Sequence, residues 1–275
     1  MIRLKDAYGT IRLGVAAPLI ALVAVPVYAA GGAAQDYPFT GRWRMDTTSL
    51  RGSVKPSIFQ LIGGRFRRDD NTPVEADGLF HPVSGSRYVD EQSITVESDQ
   101  VVKEVDRVHG KLAYTVEYNV SSDGNTLTWT VGNYTNPDGQ AVMSVTVQRR
   151  VGLPMKGAHL ISGTWKRVSV SVDAKSDWIL KLDGNHFSWR TENGTGYDAV
   201  VGGKSVKIDG DNSGTRAVIT RPSPDTIVET DFSAKGTFDD VLSMQLLPDR
   251  NTIRGRARSV RQKTPTTFYL HRIAE

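Results

Sequence analysis

Two stretches of this chain repeat one another 122 residues apart. Gly41-Arg42-Trp43-Arg44 returns as Gly163-Thr164-Trp165-Lys166, and Arg150-Val151 returns at the same offset as Arg272-Ile273. Between these markers Phe66 is echoed by Phe187. The turn Ser122-Asp123-Gly124 before Thr126 is echoed by Pro248-Asp249-Arg250 before Thr252. A repeat that keeps its order from end to end means that whatever one copy folds into, the chain holds twice. The repeat divides the chain into copy one over 35–151 and copy two over 160–275. A linker over 152–159 opens with Gly152-Leu153-Pro154-Met155-Lys156-Gly157.

Each copy reads as β. Leu112, Tyr114, Val116, Tyr118 and Val120 alternate with polar or small residues, the period of a half-buried strand. Asp123-Gly124 turns the chain, Leu127, Trp129 and Val131 alternate, and Asn136-Pro137-Asp138-Gly139 turns it again. Met143, Val145 and Val147 mark the next strand. Copy two follows suit with Trp178, Leu180 and Leu182, the turn Asp183-Gly184-Asn185, then Phe187 and Trp189. Eight or nine such runs fall in each copy, and no helical period is sustained. A meander of that length hides its edges by closing, so the pattern predicts two tandem antiparallel, up-and-down β-barrels. Strands of the two halves are not expected to interleave.

Gly-x-Trp opening a first strand, with Arg on the last, resembles the lipocalin-like (calycin-like) β-barrels. That resemblance implies that Gly41, Trp43 and Arg150 plug the base of one barrel, and Gly163, Trp165 and Arg272 that of the other. Arg149 competes with Arg150, since strand parity places it with Met143, Val145 and Val147. Copy one is also similar to uncharacterised bacterial exported proteins with lipocalin-like domains. The similarity lies in Asp77-Gly78-Leu79-Phe80-His81-Pro82-Val83-Ser84-Gly85, Val120-Ser121-Ser122-Asp123-Gly124-Asn125-Thr126-Leu127-Thr128 and Gln148-Arg149-Arg150-Val151. It implies a fold and an exported location, and no activity.

The N-terminus points the same way. Arg3, Lys5 and Arg12 precede an uncharged run, Leu13 to Val27, that ends in Val27-Tyr28-Ala29. Basic start, short apolar core and small exit residues predict a signal peptide over 1–34, whose uncharged run, Leu13 to Val27, is shorter than the roughly 20 residues of a membrane span. The expected location is periplasmic or secreted, with no membrane span once the peptide is cleaved. Thirty-four basic residues nearly balance thirty acidic ones, which gives no motive for a nucleic-acid partner. The sequence has no cysteine, so it has no disulfide, no thiolate metal site and no Cys nucleophile.

No catalytic motif stands out, and no cofactor is expected. His81, His109, His159, His186 and His271 are not spaced as a metal pair, and no metal site is expected. Asp209-Gly210-Asp211-Asn212 reads as a turn rather than a calcium loop, because the later bidentate Glu and the flanking helices are missing. Arg65, Arg67, Arg68 and Arg87 read as a solvated face. The aromatics of one parity, Tyr114, Tyr118 and Trp129, are the candidate ligand-binding residues for a small hydrophobic or amphipathic molecule inside copy one. Two other classes stay open. One is a structural or protein-interaction module of the cell envelope with solid barrels. The other is an enzyme of isomerase or lyase type, needing a buried acid or base among His109, Glu104 and Glu117, of which parity turns Glu117 outward.

Overall fold

A computed structural model describes residues 38–52, 55–86, 88–260 and 264–274. The segment expected to be a signal peptide lies outside the described residues, as does Arg87. Strands come first in two groups: β1 (Gly41–Arg51), β2 (Ser57–Ile62), β3 (Arg65–Arg68), β4 (Val74–Glu75), β5 (Phe80–Pro82), β6 (Glu91–Val96), β7 (Val101–Val108), β8 (Lys111–Val120), β9 (Thr126–Asn133) and β10 (Val142–Val151). The second group is β11 (Gly163–Val172), β12 (Trp178–Asp183), β13 (His186–Arg190), β14 (Gly196–Val200), β15 (Val206–Lys207), β16 (Arg216–Ser223), β17 (Thr226–Phe232), β18 (Phe238–Leu246), β19 (Thr252–Ser259) and β20 (Thr266–Ile273). Among the described residues the only helical turn is a 3-10 turn at Ala174–Ser176.

The strands form two antiparallel, nearly closed barrels of ten strands each, as the alternation predicts. Their membership does not follow the repeat. Barrel one runs β4-β3-β2-β11-β10-β9-β8-β7-β6-β5, and barrel two runs β14-β13-β12-β1-β20-β19-β18-β17-β16-β15. Each half therefore gives its Gly-x-Trp strand to the other barrel, so strands of the two halves do interleave. Barrel one is the continuous stretch 57–172, a window shifted by one strand from the repeat. Barrel two is β12 to β20, closed by β1 from the start of the chain. Residues 152–159 lie in the loop joining β10 to β11 within barrel one, and the chain changes barrels after β1 and again at 173–177.

A local rule accounts for the shift. β11 follows β10 directly and folds back on it over eight residue pairs, from Val151↔Thr164 to Ser144↔Val172. Consecutive strands pair readily because little loop entropy is lost. β1 then fills the place left in barrel two, between β20 (Trp43↔Arg272) and β12 (Trp43↔Trp178). Buried Asp177 holds it there, accepting from Arg44 Nη2 at 2.7 Å and from Arg42 Nε at 3.3 Å. Each barrel keeps one unpaired seam, which loop contacts draw together. Gly78 N donates to Ile94 O at 2.9 Å in barrel one, and Asp209 N donates to Gly196 O at 2.8 Å in barrel two.

The plugs are therefore built across the halves. The Arg150 guanidinium lies 4.1 Å from the centre of the Trp165 ring, and that of Arg272 lies 4.2 Å from the Trp43 ring. The pairing implied by the resemblance, Trp43 with Arg150 and Trp165 with Arg272, is corrected by this exchange. Both tryptophans are fully buried. Trp43 Nε1 donates to Phe39 O at 2.9 Å and Trp165 Nε1 to Ile161 O at 2.8 Å. The arginines are capped by carbonyls: Arg150 Nη1 donates to Ser162 O at 2.7 Å, and Arg272 Nη2 to Pro38 O at 2.8 Å. The glycines leave room for them. A Cβ on Gly41 would stand 2.5 Å from Arg272 Nη1, and one on Gly163 the same distance from Arg150 Nη1.

Arg150, not Arg149, is the inward arginine; Arg149 is exposed. The apolar parity of β10 misleads here. Val142, Ser144 and Gln148 are buried, while Met143 faces out and Val145 and Val147 are half-buried. A register shift between Val147 and Gln148 interrupts the pairing with β11 at this point.

Candidate functional site

The centre of barrel one is polar, and β7 makes it so. On this strand Val102, Glu104, Asp106 and Val108 share the inward face. Two carboxylates thus stand in a row of buried apolar side chains, with Glu104 only 1% exposed. Burying such groups without partners is costly, and neighbouring strands supply the partners. From β8, Tyr118 donates its hydroxyl to Glu104 Oε2 at 2.7 Å. From β6, Gln92 Nε2 donates to Glu104 Oε1 at 2.8 Å and to Asp106 Oδ1 at 2.9 Å. From the end of β3, Arg68 Nη1 donates to the Tyr118 oxygen at 2.9 Å and stands 4.0 Å from Glu104.

Electrostatics divides the two acids. Burial, then the charge of Glu104, pushes the Asp106 carboxyl well above the usual carboxylate range, which favours its protonated form. Burial likewise raises the Tyr118 phenol, against the pull of Arg68. Burial works against the Arg68 charge, but Tyr118, Glu104 and Asp106 outweigh it and hold the guanidinium above its ordinary value.

Aromatic rings floor this cluster. Tyr118 lies 5.3 Å from Phe59, 5.6 Å from Phe66 and 5.6 Å from Trp129, centroid to centroid. Arg68 covers the Trp129 ring at 4.9 Å. Of the three candidate ligand-binding residues, Tyr118 and Trp129 therefore meet, whereas Tyr114 packs apart with Val108 and Ala113. Arg68 is a correction to the solvated face, because its side chain turns into the barrel and is 22% exposed. Arg65 does face out, paired with Glu75 at 2.9 Å. Of the candidate acids and bases only Glu104 is interior. Glu117 is exposed, and His109 is an exposed turn residue beside Asp90.

Two buried donors facing this barrel have no hydrogen-bond partner, Trp129 Nε1 and Gln148 Nε2. They sit on adjacent strands in diagonal positions, since Gln148 pairs with Leu127, two residues before Trp129.

Barrel two keeps half of this centre. Ile227-Val228-Glu229-Thr230-Asp231 on β17 repeats Val102-Lys103-Glu104-Val105-Asp106, with Glu229 and Asp231 buried. Tyr197, from β14, donates to Glu229 Oε2 at 2.9 Å. The register aligns Arg68 with Trp189, since Phe59↔Arg68 matches Leu180↔Trp189. It aligns Tyr118 and Trp129 with Met244 and Gly255, and Gln148 with Leu270. Phe268 fills the space over Gly255, where a Cβ would come within 2.3 Å of its ring. The sequence names Glu104 as a candidate buried acid; its partner Asp106 and the repeat of the pair were missed, although the signal was present as acids in phase with apolar positions in both halves.

Among the described residues no group of three or more His, Asp or Glu side chains is placed to hold a metal ion. Asp211 instead caps its own turn, accepting from Ser213 N at 2.8 Å. No helix among them is long and apolar enough to cross a membrane. No protein-family model matches the sequence, and no curated protein is recognisably similar to it.

Proposed function

We propose that this chain is an exported, lipocalin-like binding protein that takes a small amphipathic molecule at the polar centre of barrel one. The observation that carries the reading is the pair of buried, unpartnered donors, Trp129 Nε1 and Gln148 Nε2, the first on a ring that the Arg68 cation covers. A buried donor without an acceptor is unfavourable by about 1–3 kcal/mol, and a ligand carbonyl or carboxylate supplies that acceptor. Barrel two has the acids and one unpartnered indole donor, Trp189 Nε1, at the place of Arg68, but it carries Gly255 and Leu270 where barrel one has Trp129 and Gln148, so it lacks both the cation and the donor pair, which favours barrel one. The aromatic floor suits the apolar part of the ligand, and Arg68 marks the side open to solvent.

The test is native mass spectrometry of protein purified from its own envelope, followed by extraction. The expected result is a bound small molecule bearing an oxygen acceptor, lost in Arg68→Met and weakened in Trp129→Phe. An unliganded protein whose tryptophan fluorescence ignores the extracted molecules would contradict it. A second reading, a structural envelope module, is supported by the ring contacts that fill both barrels. It expects no bound mass and a protein partner on the outer faces. Proton-transfer catalysis is less well supported, because both oxygens of Glu104 already accept from the protein.

A further inference from the structure

A cleft of about 560 Å³ lies between the two barrels, within the range of small-molecule sites. Barrel one contributes the start of β8 and the loop after β9; barrel two contributes the loops at its seam. The walls are locked together. Asn136 is buried, and its Nδ2 donates to Asn133 O and to Gln140 O, both at 2.9 Å. Its Oδ1 accepts from Thr195 Oγ1 of barrel two at 3.3 Å. Pro137 seats against Gly194 and Gly210, where a Cβ on Gly210 would come within 2.9 Å of the proline ring. Arg190 fixes the far wall, donating to Asp209 Oδ2 at 3.1 Å and to Gly194 O at 3.3 Å.

The lining sets the chemistry. Tyr134 presents an aromatic ring, seated on Gly132, where a Cβ would lie 3.2 Å from its Cε2. Leu112 adds a second apolar side chain to the lining, while Lys111, Thr135, Asp209 and Asn212 bring donors and acceptors of both kinds. The lining charges are one cation, Lys111, and one anion, Asp209; Arg190 behind the wall pairs with both Asp209 and Asp198, so the four charges sum to zero and no net field favours a charged ligand. A purely apolar ligand would strand the polar half of the wall. A ring with an apolar face and a rim of hydroxyls satisfies both halves.

We infer that this cleft binds a neutral saccharide of one or two rings, stacked on Tyr134 with its hydroxyls bonded to Asn212 and Asp209. The site is separate from the centre of barrel one and stands or falls independently of it. The experiment is amide NMR titration of the whole signal-cleaved chain with cellobiose, maltose and N,N′-diacetylchitobiose, with inorganic phosphate as the charged control. At least one sugar should bind saturably, shifting the amides of Tyr134, Gly194, Gly210 and Asn212. Tyr134→Ala and Asn212→Ala should each weaken it about tenfold, equivalent to ~1.4 kcal/mol. Asn212 is exposed, so its variant carries the test even if Tyr134→Ala lowers stability. No saturable binding by any of the three, unchanged affinity in Asn212→Ala, tighter binding of phosphate, or shifts centred on Arg68 and Trp129 would overturn the inference.

Discussion

At the scale of single residues, the molecule turns on glycines and acids whose side-chain environment decides their role. Gly41 and Gly163 hold φ of 141° and 145°, a region open almost only to glycine, and each lets an arginine pass. Gly163→Ala should therefore lower stability by about 1–3 kcal/mol, and Trp43→Ala by about 3–5 kcal/mol, read from denaturant midpoints. An unmoved midpoint in either would remove the plug. Asp106 makes a pH-dependent prediction. Its proton is held more tightly in the folded chain than in the unfolded one, so its ionisation opposes folding as pH rises through the raised value. Asp106→Asn, which mimics the neutral acid, should be more stable than the native chain at pH 7. That advantage should shrink as pH falls toward the ordinary carboxyl value of about 4. A constant difference across that range would show that Asp106 is ionised in the fold.

At the scale of elements, the strand rather than the repeat is the unit of assembly. Barrel one occupies 57–172 without interruption, so a fragment of 55–173 should fold cooperatively on its own. A fragment of 38–157 lacks β11 and Trp165, and should fold only by drawing β1 into the vacant place. Circular dichroism and thermal melting of the two fragments distinguish these outcomes; a stable 38–157 beside an unfolded 55–173 would reverse the assignment. The alternation of Tyr114 to Val120 and of Leu127 to Val131 made most of β8 and β9 legible in the sequence, and Gly-x-Trp with its distant Arg marked both plugs. The partners of those plugs were not legible, because a repeat fixes equivalence between copies and says nothing about which copy a strand pairs with. β10 was misread because its buried face carries Ser144 and Gln148, so polarity pointed away from the core. The centre of barrel one was hidden for the same reason. Glu104 was open to a buried reading, but Asp106 and Arg68 look like surface residues until the strands around them close.

At the scale of the whole molecule, the exchange makes the two barrels one object. Removing the first strand should damage the C-terminal barrel, since β1 is seated between β12 and β20. The loop after β9 also packs against the seam of barrel two, and the cleft lies between them. The absence of native cysteines makes the exchange directly measurable. Arg44 on β1 faces His271 on β20, whereas Lys166, its counterpart on β11, faces Arg149 on β10. All four side chains are at the surface or nearly so. Introduced cysteines at 44 and 271 should form a disulfide within one chain under mild oxidation, while cysteines at 44 and 149 should stay reduced. A disulfide between 44 and 149 in the monomer, with none between 44 and 271, would show that each half keeps its own first strand and would contradict the account.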